Sequence, residues 1–257
     1  MKHIITILIF FYSLPVSCQT TIDNKDSSDN YFISKMETFI RQNDNLNISN
    51  DAKYQNLYTE IATFIRQHPK REISFLFIFW AINLKKSQLE SLLQSVDTSI
   101  YKSSYKAYTD FALRRIKVSE TGKPFPELTL TDTIGNKISI ADLKGKVVLI
   151  DFWSSWCKPC REQIPELKSL YKKYKNQGFE IIGISLDEDK SKWLNAMAKD
   201  KQTWNNYCEF INWRSNKIAT RFAIGAIPAN FLIDKNGILL GQDLSVDKIR
   251  SELAKQY

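Results

Sequence analysis

The stretch VVLIDFWSSWCKPC, residues 147–160, decides the fold of this protein. Its first seven residues are apolar apart from one aspartate, which is typical of a central parallel strand buried on both faces. At its end, Pro159 stands where a helix would begin, because the first helical turn leaves its N–H groups unpaired and proline has none. The stretch therefore predicts a buried strand followed at once by a helix, with Cys157 and Cys160 at the junction.

Strand and helix patterns alternate on both sides of this stretch. Upstream, the segments 128–130 and 137–140 flank the turn pair Gly135-Asn136 and predict a hairpin. Downstream we expect helices over about 159–176, 191–199, 216–222 and 246–255, and strands over 179–185, 230–233 and 238–240. A strand–helix–strand unit followed by an antiparallel hairpin predicts an α/β fold in which helices flank a central mixed sheet.

Residues 30–118 have a pattern typical of helices. Apolar residues recur at spacings of three and four, as in the segment 61–65, and glycine is nearly absent. The run 73–80 is apolar on every side, which predicts a central buried helix. The segment 119–126 changes composition and contains two prolines. We therefore expect a small, mostly α-helical domain over 30–118, with a supporting or docking role, and the α/β domain over 119–257.

The N-terminus predicts export from the cytosol. Lys2 and His3 precede the apolar run 4–11, which is too short to cross a bilayer comfortably and is soon followed by polar sequence. This order is typical of a signal peptide, which we place over 1–18. The polar residues 19–29 are expected to form a disordered linker.

The end of the signal peptide leaves two outcomes open. The sequence PVSC, ending at Cys18, resembles a bacterial lipoprotein box, in which the cysteine is lipidated and anchors the protein. Pro15 departs from that pattern, since leucine usually stands there. Ordinary cleavage near Cys18 and Gln19 is the competing interpretation.

Composition narrows the possible functions. The chain of 257 residues is 43% hydrophobic and 25% charged, with a formal net charge of +8, which is ordinary for a soluble globular protein. Its basic residues are scattered among acidic ones and not clustered with aromatic residues, so we expect no nucleic-acid binding. Only one close pair exists among the four cysteines, which argues against a scaffold held together by disulfides.

The strand–helix junction would make one thiol reactive. The N–H groups and the positive end of the helix dipole would stabilise a thiolate at Cys157, with a modest contribution from the charge of Lys158. Cys160 would lie one turn further in, close enough to form a disulfide yet more buried. The spacing thus predicts an exposed nucleophile, a sheltered resolving thiol and exchange with disulfides.

Other uses of the cysteine pair fit less well. A structural zinc site needs four ligands, and the only further candidates are His3, His68 and Cys208. Covalent haem attachment needs a histidine where Arg161 stands, and an iron–sulfur cluster lacks two cysteines. A purely structural disulfide would close a very short loop and add little stability.

The segment DFWSSWCKPC, residues 151–160, resembles the active-site segment of the thioredoxin superfamily. Residues 122–257 are similar to the TlpA/ResA-like branch of extracytoplasmic bacterial thioredoxins. Supporting motifs, in the correct order, are GKPFP (122–126), LKGK (143–146), IIGISLD (181–187), TW (203–204) and IPANFLID (227–234). The helical region resembles, more loosely, the N-terminal extension of Bacteroidetes-type members. The resemblance implies a thioredoxin-like fold and a protein-disulfide reductase.

The resemblance also implies roles for single residues. Asp151 matches the buried acid that exchanges a proton with the inner thiol, and burial should raise its pKa. Pro165 matches the proline that kinks the active-site helix. Pro228 matches a proline that packs against the cysteine pair, and a cis bond after Ile227 would leave backbone groups free to pair with a substrate strand. Trp156 would shield the disulfide and shape the groove. Two of these residues could have simpler roles: Asp151 could be a hydrogen-bonding residue at the end of a strand, and Trp156 could be an aromatic residue of the core.

Two positions depart from the family pattern. Some relatives carry a glutamate three residues after the second cysteine, where this chain has Gln163, preceded by Glu162. In those relatives the glutamate tunes the thiols, and we do not assign that role to Gln163 or Glu162. Cys208 is not part of the family's redox pair, and we expect it to be a small buried apolar residue.

The resemblance implies partners and a location as well. Protein or peptide disulfides of the periplasm or cell envelope would be reduced, and a membrane thiol-disulfide transporter would return the electrons. No nucleotide, flavin or metal is implied. Two alternatives stay open: a peroxiredoxin-like thiol peroxidase, although residues 154–156 lack the threonine and proline of such sites, and a non-catalytic protein-binding module that uses the groove beside Pro228.

Overall fold

The computed structural model describes residues 27–44, 46, 50–71, 74, 77–78, 86–97, 103–118, 120–131 and 137–257. The chain divides into two compact units between Lys117 and Val118, one residue before the boundary expected from the sequence. The signal peptide predicted over 1–18, with Cys18, lies outside the described residues. In the part of the chain that is described, no helix combines the length and apolar character needed to cross a membrane.

The first unit is helical. Its described helices are α1 Ser27–Asp44, α2 Asn50–Gln67, α3 Lys86–Ser95 and α4 Ser103–Val118, of which the last residue, Val118, belongs to the second unit. The apolar residues at spacings of three and four form its core, among them Ile61, Phe64 and Ile65 from α2.

Helix α1 begins at Ser27 and so includes the last three residues of the linker predicted over 19–29. Polar sequence does not prevent this, since the first turn of a helix leaves its N–H groups to water or to polar side chains. Of the apolar run 73–80, only Ser74, Phe77 and Ile78 are described, and all three are buried. The remainder of the helix predicted there lies outside the described residues.

The second unit contains a short hairpin and a larger sheet. Its elements are β1 Thr129–Thr131, β2 Lys137–Ser139, β3 Val147–Trp153, α5 Lys158–Tyr174, β4 Phe179–Ser185, α6 Lys190–Asp200, β5 Asn205–Cys208, α7 Lys217–Arg221, β6 Ala229–Ile233, β7 Leu239–Gln242 and α8 Val246–Gln256. Strands β1 and β2 are antiparallel, as the hairpin prediction required. The sheet has the order β5-β4-β3-β6-β7.

Strand β3 lies at the centre of this sheet. It is parallel to β4 and antiparallel to β6, and all seven of its residues are buried. The sheet is therefore mixed, as expected. Strand β5, parallel to β4, was not predicted, because its first residues are Asn205 and Asn206, which disfavour strands when judged by local propensity.

Apolar clusters cover both faces of the sheet. One joins the sheet to α5 and α8 and contains the predicted apolar face of α5, from Ile164 to Tyr174. The other joins the sheet to α6 and α7, with Trp193 and Phe222 among its members, and includes Cys157 and Cys160. Residues 122–126, which precede β1, extend the second cluster. The ring of Phe125 stacks on that of Phe222, with the ring centroids 5.2 Å apart.

Candidate active site

The two cysteines lie where α5 begins. Cys157 is the N-cap residue, with extended backbone angles, and its Sγ accepts a hydrogen bond from the N–H of Cys160 at 3.2 Å. The turn before it is closed by a bond from Cys157 N–H to the carbonyl of Ser154. Cys157 and Cys160 form a disulfide, with their Cα atoms 5.3 Å apart. The sulfur of Cys157 is thus held against the N–H groups of the first helical turn.

Exposure does not distinguish the two cysteines. Each has 4% of its surface exposed, so the expectation of an exposed Cys157 and a more buried Cys160 is wrong for this oxidised form. Both sulfurs belong to the apolar cluster on the α6 side of the sheet, which covers them equally. The two cysteines differ instead in their position on the helix, since Cys157 is the N-cap residue and Cys160 lies in the first turn.

Both prolines of α5 lie where the sequence placed them. Pro159 is in the first turn, where its missing N–H costs no hydrogen bond. Pro165 is inside the helix and cannot donate to the carbonyl of Arg161, one turn earlier.

Asp151 is a buried acid on the central strand. Its backbone lies between Gly183 of β4 and Asn230 of β6, and the residue is 7% exposed. Burial raises the pKa of its carboxyl to about 7. A carboxyl of that acidity can accept or return a proton near neutral pH.

The segment of Ile227 and Pro228 reaches the same end of the sheet as the cysteines. The peptide bond between these residues is cis. Strand β6 starts directly after it, and its first residue, Ala229, pairs with Phe152 near the end of β3. The cis bond and the segment that leads to Cys157 therefore lie at one edge of the sheet.

Trp156 is not a core residue. It is 56% exposed, which excludes the simpler interpretation as a core aromatic. Its ring centroid lies 6.1 Å from that of Trp213, whose indole N–H donates to the carbonyl of Ile224 at 3.1 Å. Sequence reasoning missed Trp213, because only the fold brings the segment after β5 beside the cysteines.

An open cleft of about 360 Å³ borders the start of α5. Its lining residues are Ser155, Trp156, Lys158, Arg161, Glu162, Lys199 and Asp200. The guanidinium of Arg161 donates to both carboxylate oxygens of Asp200, at 2.7 and 2.8 Å. This bidentate pair ties the first turn of α5 to the end of α6 and forms one wall of the cleft.

Cys208, the remaining cysteine of the α/β unit, is buried and free, in agreement with the sequence expectation. It is the last residue of β5, and its Sγ–H donates to the carbonyl of Asp187 at 3.1 Å. Burial raises the pKa of this thiol. The raised pKa favours the protonated thiol, which is the less reactive form.

Among the described residues, no group of three or more histidine, cysteine, aspartate or glutamate side chains could hold a metal ion.

Comparison with known proteins gives consistent similarities. Residues 121–241 match the model of the AhpC/TSA family. Over 137 residues the chain is 38% identical to the thiol-disulfide oxidoreductase ResA of Bacillus cereus, covering 53% of this chain and 73% of that protein. The corresponding protein of Geobacillus kaustophilus is 33% identical over 133 residues, covering 52% and 74%.

A solved structure is similar to about half of the chain. It is the C-terminal domain of a protein from Bacteroides thetaiotaomicron described as a thiol-disulfide oxidoreductase. The match has 33% sequence identity and a TM-score of 0.50, and covers 54% of this chain and 96% of that domain. The similarities confirm the thioredoxin-like fold class expected from the sequence.

Proposed function

Because the chain belongs to the family of ResA thiol-disulfide oxidoreductases, we propose that it reduces disulfides of proteins in the cell envelope, through a dithiol–disulfide cycle of Cys157 and Cys160. The observation that carries the proposal is the disulfide formed at the N-terminus of α5, with Cys157 as N-cap. A sulfur in that position is the one that N–H groups and the helix dipole stabilise as a thiolate.

The first step is attack on the substrate. In the reduced protein, the Cys157 thiolate attacks one sulfur of a substrate disulfide, a Cys157–substrate disulfide forms, and the substrate bond breaks. The displaced substrate sulfur leaves as a thiolate and takes a proton from water. The hydrogen bond from the N–H of Cys160 to the sulfur of Cys157 supports this assignment.

The second step is resolution. Cys160 gives its proton to the carboxylate of Asp151, and the resulting thiolate attacks the sulfur of Cys157. The Cys157–Cys160 disulfide forms and the second substrate sulfur leaves, so two electrons have passed from the protein to the substrate. The raised pKa of Asp151, about 7, suits this exchange at neutral pH.

Substrate binding would use the surface around the cysteines. The backbone beside the cis Ile227–Pro228 bond can pair with an extended substrate segment, in the manner of an added strand. The exposed ring of Trp156 would cover the apolar side of that segment. We also propose that the protein is exported and that a membrane thiol-disulfide transporter reduces it again; lipidation of Cys18 and ordinary cleavage near Cys18 and Gln19 both remain open as the fate of its signal peptide.

An insulin-reduction assay with dithiothreitol tests the function. Wild type should accelerate insulin precipitation, while Cys157→Ser should abolish the acceleration, because it removes the attacking thiolate. In a separate reaction, Cys160→Ser that has been reduced and then freed of dithiothreitol should stay joined to insulin through Cys157 as a mixed disulfide, detectable by non-reducing electrophoresis, because no second thiol is present to resolve it. Cys208→Ser is the matched control and should keep wild-type activity, since this thiol is buried and outside the pair.

Two outcomes would favour the alternatives. A thiol peroxidase would consume hydrogen peroxide with a thiol donor faster than it reduces insulin, and would keep that activity in Cys160→Ser if one cysteine sufficed. A non-catalytic binding module would show no insulin reduction by wild type, and its binding would survive the Cys157→Ser, Cys160→Ser double substitution.

A further inference from the structure

We infer that Asp187 is a positioning residue for the redox pair: it holds the turn before Cys157 so that the sulfur faces the N-terminus of α5. The inference rests on the function proposed above and adds a residue to it. We call the contacts of Ser155 with Asp187 and Arg161 the Ser155 clamp.

Every polar group of Ser155 is used in the clamp. Its backbone N–H donates to Asp187 Oδ2 at 2.9 Å, and its hydroxyl donates to Asp187 Oδ1 at 2.5 Å. Its carbonyl accepts a longer bond from Arg161 Nη1 at 3.4 Å. Ser155 stands two residues before Cys157, so these contacts fix the backbone from which the attacking sulfur projects.

Asp187 is itself held in place. It follows β4 by two residues, is 2% exposed, and accepts a bond from the hydroxyl of Ser185 at 2.7 Å. Its N–H donates to the same hydroxyl at 3.0 Å, and its carbonyl accepts from Cys208 at 3.1 Å. One residue therefore ties together the ends of the three parallel strands β3, β4 and β5.

A buried carboxylate in this position has two possible effects on Cys157, and they are opposite in sign. Its negative charge disfavours a nearby thiolate, so removing the charge would lower the pKa of the Cys157 thiol. Its hydrogen bonds keep the sulfur at the helix N-terminus, so losing them would raise that pKa towards the free-cysteine value, about 8.5. The inference states that the second effect is the larger, since three charge-assisted bonds converge on the carboxylate.

The test compares two substitutions of Asp187. Asp187→Asn removes the charge and replaces one acceptor oxygen by an NH2 donor, so either the N–H or the hydroxyl of Ser155 loses the oxygen to which it donates. Asp187→Glu keeps the charge but moves it by one methylene. Glu188→Gln is the matched control, because this neighbouring carboxylate is exposed and contacts Asn212 instead of the turn.

The measurement is the alkylation rate of Cys157 in the reduced full-length protein as a function of pH, followed by mass spectrometry. It needs no substrate, so it is independent of whether insulin is reduced. Positioning predicts that both Asp187 variants raise the pKa of Cys157 and slow alkylation at pH 7 by about tenfold, since only the thiolate is alkylated and its fraction falls about tenfold for each unit by which the pKa rises above pH 7. The kcat for insulin should fall with little change in KM, and Glu188→Gln should match wild type.

Opposite results would overturn the inference. A lowered pKa of Cys157 in Asp187→Asn would mean that the charge of Asp187 is the larger effect. An unchanged pKa in that variant, or a wild-type alkylation rate in Asp187→Glu, would mean that Asp187 does not position the sulfur. If the Asp187 variants do not fold, Ser155→Ala decides the matter. It removes only the hydroxyl bond and should raise the pKa of Cys157 in the same direction, with about a threefold loss of rate, and no change there would also refute the inference. Failure of wild type to reduce insulin would refute the proposed function instead.

Discussion

At the scale of single residues, the buried carboxyl of Asp151 links stability to activity. Its pKa in the folded protein is about 7, against about 4 for an unfolded chain. The protonated carboxyl is thus the form that folding favours. Its contribution to stability is complete below pH 4 and is lost as the pH rises through 7.

We therefore expect Asp151→Asn to make the protein more stable at pH 8 and less active. The amide stays neutral, so the free energy of unfolding should rise by on the order of 4 kcal/mol at pH 8 and change little near pH 4. Insulin reduction should slow at the same time, because Cys160 loses its proton acceptor. Urea unfolding at pH 4 and pH 8 measures the change in the free energy of unfolding. Equal stability changes at pH 4 and pH 8 would show that the carboxyl is not the cause.

At the scale of the elements, a side-chain bridge crosses β4. Asn206 of β5 reaches over Gly183 of β4, and its Oδ1 accepts from the indole N–H of Trp153, at the end of β3, at 2.9 Å. A Cβ added at Gly183 would lie 1.9 Å from that oxygen. Asn206 cannot easily move aside, because its amide also donates to Gln202 and to the carbonyl of Trp204.

Gly183→Ala is therefore expected to lower the free energy of unfolding by about 2–3 kcal/mol, since it breaks the bridge and leaves the indole N–H of Trp153 buried without a partner. In the Asn206→Ala background, Gly183→Ala should lower the free energy of unfolding by less than about 1 kcal/mol, because the clash with the side chain of Asn206 is gone. Urea unfolding of the four proteins measures this coupling. Additive effects of the two substitutions would contradict the bridge, and Asn205→Ala, on the exposed neighbour, serves as the control.

At the scale of the whole molecule, the α/β unit has its own cores. The clusters on both faces of its sheet consist of residues from 118 onward. The matching solved domain from Bacteroides thetaiotaomicron covers 54% of this chain, which is close to the length of this unit. Nothing in the proposed cycle needs a residue of the helical unit.

A fragment of residues 118–257 is expected to fold cooperatively and to reduce insulin within about twofold of the full chain, because burial within a self-contained core drives folding. Thermal unfolding by circular dichroism and the insulin assay are the measurements. A folded fragment that has lost activity would assign the helical unit a part in the reaction. An unfolded fragment would show that the two units depend on each other for stability.

The sequence alone determined the parts that depend on neighbours along the chain. The buried strand 147–153, the helix after it, the cysteine spacing and the closing hairpin follow from local apolar patterns and turn residues, and all appear in the structure. The resemblance added Pro228 and Asp151, which no local pattern distinguishes from ordinary turn and strand residues.

Only the tertiary structure decided how distant segments meet. Strand β5 forms although its asparagines disfavour strands, because pairing with β4 and the bond from Trp153 to Asn206 outweigh local propensity. The Ser155 clamp joins residues 32 positions apart, and the equal burial of the two cysteines depends on the cluster that folds over them. Hydrogen bonds and apolar contacts of this kind act through space, so residue spacing along the chain cannot reveal them.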